Sequence, residues 1–329
     1  MKSKTIFITG GAGYVGAVLV PLLLKKGYRV RVLDLFLYGE SLKKHNHLDL
    51  VRGDIRDPLV VNKCLRGVDT VIHLACISND PSFELDPGLG TSINYDATIS
   101  LIDQSQKAGV RRFIYASSSS VYGVKNEKNV TEELPLEPLT DYSKYKALCE
   151  HYLVSQQDTH FTPVIIRPAT VCGYSPRMRL DLTVNILTIS ALMNHSMTVF
   201  GGSQKRPNIH INDMARAYLT LLNAPKKTIA GKIFNAGFQN YTVMELAEMV
   251  RKVLDDPSIV IDVKPTTDNR SYHISSEKIK KELRFIPRHS VEEAIADIKK
   301  AFDKGLLPEA LTDERYYNIR VMKKINATI

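Results

Sequence analysis

Short apolar stretches alternate with amphipathic stretches along the first half of the chain. The apolar stretches are rich in Val, Ile and Phe, which predicts strands, and the stretches between them repeat their apolar positions with a helical period. The predicted strands are Lys4–Thr9, Arg29–Leu35, Asp49–Arg52, Thr70–Ala75, Arg112–Ser117 and Thr162–Arg167. The predicted helices are Tyr14–Lys26, Pro58–Leu65, Tyr95–Ala108 and Ser143–Gln156. This alternation predicts an α/β fold with a doubly wound parallel sheet of the Rossmann type, covered on both faces.

The alternation becomes irregular after Arg167-Pro168, where Pro and Gly turns interrupt it. Helical patterns there cover Leu182–Asn194, Asn212–Asn223, Glu245–Leu254, Ser276–Glu282 and Val291–Asp303, and strand patterns cover Lys232–Asn235 and Ile259–Val263. We therefore expect two units. Residues 1–171 form the Rossmann-type domain, to which segments near 205–240 return, and residues 172–329 form a smaller α/β lobe.

Composition and charge narrow the class of partner. The chain has 329 residues and a formal net charge of +9, which suits nucleic acid, an acidic membrane surface or a phosphorylated small molecule. The lysines are dispersed, and no basic run with interleaved aromatic residues occurs, so nucleic acid is not expected as a partner. No apolar stretch is long enough for a membrane-spanning helix, so no membrane partner is expected. A phosphorylated small molecule remains.

The four cysteines indicate the compartment. None forms a Cys-x-x-Cys pair, so neither a zinc site nor a disulfide framework is expected, and no metal is predicted. Reduced thiols are typical of cytoplasmic proteins, and we expect a cytoplasmic location.

A glycine-rich segment follows the first predicted strand and opens the first helix. Gly10, Gly13 and Gly16 stand at G-x-x-G-x-x-G spacing, which brings backbone N–H groups and a helix N-terminus against a diphosphate. Asp34 ends the second predicted strand, 18 residues beyond Gly16, where a carboxylate can accept both hydroxyls of an adenosine ribose. The two residues after it are apolar, so no arginine there receives a 2′-phosphate. The pattern favours NAD over NADP.

Tyr142 and Lys146 are four residues apart where a helix is predicted, so both project from one face. The ammonium is expected to lower the pKa of the phenol, which would let Tyr142 act as a base near neutral pH. Four serines, Ser117–Ser120, follow the fifth predicted strand. Because open α/β sheets bind ligands at the carboxyl ends of their strands, one of these hydroxyls is expected to face the tyrosine.

Together these motifs resemble the extended short-chain dehydrogenase/reductases of the NAD-dependent nucleotide-sugar epimerase/dehydratase family, including UDP-galactose 4-epimerases. The resemblance covers nearly the whole chain. The matching segments are TGGAGYVG (9–16), Asp34, Gly53-Asp54-Ile55, His73-Leu74-Ala75, Asn94, SSSSVYG (117–123), Tyr142, Lys146, Arg167-Pro168 and RPNIHIND (206–213). Residues 175–181 and 268–272 resemble a bacterial subgroup that includes GDP-heptose C4 dehydrogenases, which weakens a default assignment of UDP-galactose as substrate.

The resemblance implies a role for each matched residue, and it makes residues 172–329 a nucleotide-sugar-binding lobe. The catalytic residues would be Ser118, Tyr142 and Lys146, with Lys146 also holding the nicotinamide ribose. The NAD-binding residues would be Gly10, Gly13, Tyr14, Val15, Gly16, Asp34, Asp54, Ile55, Leu74, Ala75, Asn94 and Lys146. The substrate-binding residues would be Ser118, Asn185, Arg206 and Arg270, with both arginines on the substrate diphosphate. Tyr95–Ala108 and Ser143–Gln156 would pair with their copies in a homodimer.

One departure from the family bears on the reaction. Sugar 4,6-dehydratases carry Asp-Glu directly after the catalytic Thr, and this chain has Ser119 and Ser120 there, so dehydration is disfavoured. The resemblance favours an NAD-dependent nucleotide-sugar C4 oxidoreductase, a 4-epimerase acting through a transient 4-keto sugar in polysaccharide biosynthesis. The alternatives are a nucleotide-sugar 4-dehydrogenase or 4-ketoreductase, for example on a GDP-linked sugar. A non-catalytic NAD-binding protein is disfavoured because the tyrosine and lysine are both present.

Overall fold

A seven-stranded parallel sheet forms the centre of the computed structural model, which describes residues 4–78, 80–266 and 271–326. Its strands, numbered in chain order, are β1 (Thr5–Thr9), β2 (Arg29–Asp34), β3 (Leu48–Arg52), β4 (Thr70–His73), β5 (Arg112–Ala116), β6 (Thr162–Pro168) and β10 (Lys232–Ala236). They are ordered β10-β6-β5-β4-β1-β2-β3, with every pairing parallel. The strand order reverses between β1 and β4, which opens a crevice at their carboxyl ends. The predicted Rossmann-type α/β fold is confirmed.

Helices cover both faces of this sheet. The helices on one face are α1 (Gly16–Lys25) and α8 (Ile211–Asn223), and those on the other are α2 (Pro58–Leu65), α5 (Ala97–Lys107) and α6 (Asp141–Ser155). Within β1, Ile6 and Ile8 pack with the first pair of helices and Phe7 packs with the other three, and all three side chains are completely buried. Burial on both faces explains why the strands are continuously apolar in sequence.

The second half of the chain adds two small sheets and further helices. The remaining strands are β7 (Thr170–Cys172), β8 (Ser196–Phe200), β9 (Lys205–His210), β11 (Gln239–Thr242) and β12 (Val260–Lys264). One small sheet has the order β11-β9-β7, and β12 pairs with β8 in the other. The remaining long helices are α7 (Thr183–Asn194), α10 (Val243–Leu254), α11 (Glu277–Leu283), α12 (Val291–Asp303) and α13 (Asn318–Asn326). A separate hydrophobic core joins α7, α10 and α12 to β8.

Several short elements were not predicted from the sequence. They include α3 (Asp80–Phe83), α4 (Pro87–Thr91), α9 (Lys226–Ile229), a π-helical turn at Ser92–Asp96, and 3₁₀ turns at Ser119–Tyr122 and Glu314–Tyr316. The strands β7, β8, β9 and β11 and the helix α13 were also missed. β9 contains Pro207 and β11 is polar throughout, so neither carries an apolar strand pattern. Across the described ranges, no helix is long and apolar enough to cross a membrane.

A buried ion pair fixes α6 against the central sheet. The Glu150 carboxylate on α6 accepts hydrogen bonds from the Arg167 guanidinium at 2.9 and 2.5 Å, away from solvent. The same guanidinium donates to the Tyr122 hydroxyl, which in turn donates to Asn235 on β10, both at 2.8 Å. Thr140 caps the N-terminus of α6. These contacts fix the middle of α6 against β6 and link it through Tyr122 to β10.

Candidate active site

A cavity of about 460 Å³ opens at the carboxyl ends of the central strands, where doubly wound sheets bind their ligands. Its walls come from the loop after β1, the ends of β2, β4 and β5, the start of α6, and the segment after β7. The residues singled out in the sequence that line it are Gly10, Gly13, Tyr14, Val15, Gly16, Asp34, Asp54, Ile55, Leu74, Ala75, Ser118, Tyr142 and Lys146. The fold thus brings the glycine-rich segment and the reactive pair into one cavity.

The glycine-rich loop keeps its part of the cavity free of side chains. Gly10 has φ +69°, and a Cβ atom there would lie 2.6 Å from the backbone nitrogen of Ala75. A Cβ atom at Gly13 would lie 3.1 Å from the Gly10 carbonyl oxygen. α1 begins at Gly16, beside the cavity, so the positive end of its dipole and the backbone N–H groups of the preceding loop favour an anion there. The space beside the glycine-rich loop and the backbone N–H groups around it therefore suit a diphosphate.

The Asp34 carboxylate stands at the end of β2 and is held by the backbone. It accepts hydrogen bonds from the N–H groups of Ala12 at 2.9 Å and Phe36 at 2.8 Å. Burial raises the pKa of the Asp34 carboxyl, while these backbone donors oppose that rise. The carboxylate is thereby oriented next to the glycine-rich loop, at the place where the sequence pattern predicts an adenosine ribose.

A second carboxylate, Asp54, lies farther along the same wall. Burial disfavours its charge, but the Arg56 guanidinium binds both of its oxygens, at 2.6 to 3.1 Å, and the net effect lowers the pKa of Asp54. The Ile55 side chain beside it is 8% exposed. Ile55 gives this end of the cavity an apolar surface, and the Asp54 carboxylate beside it is held in place by Arg56. An apolar surface next to an oriented acceptor suits an adenine.

The first two turns of α6 carry the reactive pair. The Lys146 ammonium donates to the Ala116 carbonyl oxygen at 2.7 Å, at the end of β5. It also lies 5.9 Å from the centre of the Tyr142 ring and 4.9 Å from that of Tyr115. Lys146 is 4% exposed. The spacing of four residues therefore places both groups on the same side of the helix, facing the cavity.

The pKa of Tyr142 differs from the expectation drawn from the sequence. Burial raises it well above its ordinary value, and the Cys76 and Asp80 side chains raise it further. Arg179 and the Ser118 hydroxyl act in the opposite direction. A lowering by Lys146 was expected, and this expectation is wrong because the phenol lies in an enclosed site where desolvation dominates.

Ser118 lies just after the carboxyl end of β5, on the side of the cavity that the sheet forms. It precedes the 3₁₀ turn, and its Oγ lies 2.8 Å from the Oγ of Ser120 and accepts from the Ser120 N–H at 3.1 Å. The neighbouring Ser117 Oγ is buried and has no hydrogen-bond partner among the residues the structure describes. All four serines, including Ser119, line the cavity, so no carboxylate stands directly after Ser118.

Two predicted site residues lie behind the cavity wall. The Asn94 side chain exchanges hydrogen bonds with the Ile77 backbone at 2.8 and 2.9 Å, which fixes the loop after β4. Asn185 is completely buried. Its amide accepts from the Gly173 N–H and donates to the Tyr14 hydroxyl, both at 3.0 Å. Both asparagines therefore position elements of the site and do not line the cavity.

The two arginines expected at the substrate diphosphate have different outcomes. Arg206 lies on β9 outside the lining, with its guanidinium carbon 5.3 Å from the centre of the Tyr272 ring. Tyr272 itself lines the cavity. Arg270 lies outside the described residues.

A match to a family model decides the family. The model of the NAD dependent epimerase/dehydratase family matches residues 6–237. The chain belongs to this family.

Known members are similar along most of this chain but differ in their reactions. UDP-glucuronic acid decarboxylase 1 of Arabidopsis thaliana is 29% identical over 323 residues, covering 94% of this chain and 72% of the relative. The dTDP-glucose 4,6-dehydratase of Streptomyces venezuelae, solved with NAD, is 25% identical with a TM-score of 0.84, covering 94% and 100% of the two chains. The UDP-glucose 4-epimerase of Thermotoga maritima, solved with UDP-glucose, is 25% identical with a TM-score of 0.83, covering 92% and 99%.

The cofactor of this epimerase/dehydratase family is NAD, as the sequence predicted. The cavity fits it at three points along its length. The backbone at Gly10, which carries no side chain, suits the diphosphate, and the oriented Asp34 carboxylate suits a ribose. The Ser117 hydroxyl and the Lys146 ammonium are polar groups beside Tyr142, where the resemblance implies the nicotinamide.

Several residues that line the cavity of this family member were not predicted from the sequence. Arg177 and Arg179 follow β7, Tyr38 follows β2, and Asn318 and Met322 come from α13, and all of them line the cavity. Two arginines in a short run between turns were a usable signal, because cavities that bind phosphates collect guanidinium groups. Asn318 gave no signal, because only the tertiary fold brings it to the site.

Proposed function

We propose that the protein is an NAD-dependent nucleotide-sugar C4 oxidoreductase, and specifically a 4-epimerase acting through a transient 4-keto sugar. The observation that carries the proposal is the convergence of Ser118, Tyr142 and Lys146 in the cavity that also holds the glycine-rich loop and Asp34. A protein that only binds NAD does not need these three side chains together at the cofactor site, so their convergence favours a catalytic function.

Each member of the cluster has a separate task. Tyr142 takes the proton of the sugar 4-hydroxyl, and Ser118 hydrogen-bonds the same oxygen. NAD, when bound, supplies the acceptor and later the donor of the hydride at C4. Lys146 holds the nicotinamide ribose. Tyr142 then returns its proton after the 4-keto sugar has turned its other face to the cofactor.

Because the pKa of Tyr142 is raised, a positive charge near its hydroxyl is needed to stabilise the phenolate. A phenol in an enclosed site resists ionisation, so a base at this position needs stabilisation of its anion. Arg179 lowers the pKa of Tyr142 and is itself held by Asp181 at 2.9 and 3.1 Å. We assign Arg179 the task of assisting ionisation of Tyr142.

The substrate is proposed to be a nucleoside diphosphate sugar. Arg206 and Arg270 are assigned to its diphosphate, with Tyr272 beside Arg206 as a wall of the same subsite. Asn185 was expected among the substrate-binding residues. Because its amide is already engaged by protein groups, we assign it the positioning of Tyr14 and Arg179.

Dehydration is not favoured by the groups beside Ser118. Ser119 and Ser120 stand where the 4,6-dehydratases carry their acid and base, and hydroxyl groups of ordinary pKa do not replace them. The second candidate is a 4-dehydrogenase or 4-ketoreductase, for example on a GDP-linked sugar, which the resemblance of residues 175–181 to a GDP-heptose subgroup supports. A non-catalytic NAD-binding protein ranks behind both.

The assembly and location are proposed from the family resemblance. A homodimer would pair α5 and α6 with their copies, and Leu148 on α6, 49% exposed, offers apolar surface for it. A cytoplasmic location and a role in polysaccharide biosynthesis are proposed on the same basis. Light scattering on the purified protein at twice the chain mass would support the dimer, and a monomeric mass would contradict it.

The deciding experiment follows the hydrogen at C4. The protein is incubated with UDP-, GDP-, CDP- and dTDP-sugars, with NADH followed by absorbance and products identified by NMR. For the active sugar, a substrate deuterated at C4 should yield the C4 epimer with deuterium retained and no net NADH. Net NADH formation with a 4-keto product would replace the epimerase by the dehydrogenase. No reaction of any sugar would contradict both.

A further inference from the structure

One arginine on the cavity wall is buried without an ion pair to any residue that the structure describes. Arg177 is 4% exposed, and no carboxylate in the described part of the chain forms an ion pair with it. Its terminal nitrogens donate to the carbonyl oxygen of Met178, at 3.5 Å, and to the side chain of Asn318, while its Nε has no hydrogen-bond partner within the described ranges. Burial lowers the pKa of Arg177 to about 10. Buried charges are normally paired, because removing them from water is costly.

The nearest carboxylates already have other partners. Asp34 accepts from the backbone of Ala12 and Phe36. Asp181 is paired with Arg179 through two hydrogen bonds. Arg177 therefore keeps its positive charge, and its Nε has no acceptor among the described residues, on the wall of the cavity.

The position of Arg177 indicates which part of the dinucleotide it faces. Its guanidinium carbon lies 3.7 Å from the centre of the Tyr38 ring, which follows Asp34 by four residues. Ser175, two residues before Arg177, donates at 2.8 Å to the carbonyl oxygen of Tyr14 in the glycine-rich loop. The segment that carries Arg177 thus lies directly on that loop.

We propose that Arg177 binds the diphosphate of NAD. The diphosphate would then be held between the glycine-rich loop and a side chain from the C-terminal half of the chain. A guanidinium suits this ligand because its forked donors match phosphate oxygens. The proposal rests on the NAD dependence of the family and is independent of the reaction at C4. A nucleotide sugar carries the same diphosphate chemistry, but the contacts with Tyr38 and the glycine-rich loop favour the cofactor.

Asn318, the first residue of α13, acts as the positioning residue for Arg177. Its Oδ1 accepts from the Arg177 guanidinium. Its Nδ2 donates to Ser78 Oγ at 2.7 Å, and its backbone N–H donates to Asp181 at 3.2 Å. The amide is therefore held from both sides, and it fixes the direction of the guanidinium. Retention of NAD between turnovers would then depend on the C-terminal helix.

The test measures binding in the absence of any sugar turnover. NADH affinity of the full chain is followed by fluorescence, and ADP-ribose, adenosine and UDP are assayed as competitors. Arg177→Gln should weaken NADH and ADP-ribose about ten- to a hundredfold, the range for hydrogen bonds to charged groups. Adenosine, which lacks phosphate, and UDP should be affected less than twofold. Arg177→Lys should be intermediate.

The control removes an equal charge from α13, the helix that begins with Asn318. Arg320 stacks on Tyr317 outside the cavity lining, and Arg320→Gln should leave all four affinities unchanged. An equal loss of adenosine and ADP-ribose would mean general damage to the cavity and would overturn the assignment. A loss confined to UDP would transfer Arg177 to the substrate diphosphate. Unchanged ADP-ribose affinity would also overturn it.

A double-mutant cycle tests the role of Asn318. Asn318→Ala should weaken ADP-ribose binding less than Arg177→Gln does, and the double variant should bind no more weakly than Arg177→Gln alone. Losses that multiply in the double variant would show that Asn318 acts independently of Arg177 and would remove it as a positioning residue.

Discussion

The two sides of the cavity are built in different ways. The N-terminal side uses local sequence, namely a glycine-rich loop directly after β1 and two reactive residues one turn apart on α6. The C-terminal side uses side chains that meet only in the tertiary fold, such as Arg177 and Asn318, which are 141 residues apart. The first side supplies backbone shape and reactive groups. The second side adds two guanidinium groups, those of Arg177 and Arg179. Arg179 lowers the pKa of Tyr142, so one charge that favours the phenolate comes from a segment distant in sequence.

Tyr142→Phe tests the N-terminal side most directly and should have the largest effect. Removing the proton acceptor should lower kcat by about 10²- to 10⁴-fold, the range for general acid–base catalysis, while bound NAD is retained. Steady-state kinetics and the NAD content of the purified protein measure the two outcomes. Tyr145→Phe is the control, because Tyr145 is on the same helix but packs on Phe83 and Tyr95. Turnover near the wild-type rate in Tyr142→Phe would refute the assignment.

Gly10→Ala should show whether NAD binding depends on the close approach of Gly10 to Ala75 or only on the positive φ of the glycine. Its Cβ atom would overlap the Ala75 backbone, at 2.6 Å from the nitrogen and 2.7 Å from Cα, so bound NAD should fall at least about tenfold. Gly67→Ala is matched to it, because Gly67 has φ +72° but a Cβ atom there would meet no described residue beyond its chain neighbours within 4 Å. Both variants incur a left-handed strain of about 1–2 kcal/mol, yet only Gly10→Ala should lose NAD. Equal NAD contents would show that close approach at Gly10 is unimportant.

Arg206→Gln tests the C-terminal side. Loss of one charge-assisted hydrogen bond to a diphosphate should raise KM for the active nucleotide sugar about tenfold, with kcat and bound NAD unchanged. Arg251→Gln serves as the control, because Arg251 pairs with Glu248 on the surface of α10. A fall in bound NAD, or an unaltered KM, would place the substrate diphosphate elsewhere.

Asp80→Asn should give the smallest effect, a shift in pH dependence. The Asp80 carboxylate raises the pKa of Tyr142, so its removal should lower that pKa and increase the phenolate fraction at a given pH. The acidic limb of the kcat/KM profile should therefore move to lower pH, by up to about one unit. Asp141→Asn is the control, because Asp141 is exposed and pairs with Lys144. A shift to higher pH would contradict the electrostatic role of Asp80.

The sequence predicted the parts of the molecule that depend on neighbours in the chain. The six strands from β1 to β6 and the helix Pro58–Leu65 were recognisable because burial on one or two faces imposes a period on the apolar positions. Gly10 and Asp34 were recognisable for a related reason, since a loop between a strand and a helix fixes where a diphosphate can lie. The convergence of Tyr142 and Ser118 followed from the placement of strand ends.

The remaining features depend on contacts that the sequence pattern does not encode. The pKa of Tyr142 rises because of burial, and burial comes from the packing of distant segments around it. Asn185 was expected at the substrate, but it is buried behind the wall because its amide joins Gly173 to Tyr14. Arg177 could be read from the sequence, but only the fold shows that no carboxylate among the described residues forms an ion pair with it.

The strand β10 has a consequence for the synthesis of the chain. It pairs with β6 at the edge of the central sheet, yet it is encoded some sixty residues later. Until residue 236 has left the ribosome, the edge formed by Val164, Ile165 and Ile166 has no neighbouring strand, and open edges of this kind promote association between chains. The nascent Rossmann half therefore remains unfinished while the small sheets are being made. β10 then takes the place of β6 at the edge, so this sheet is complete only after residues 232–236 have been made.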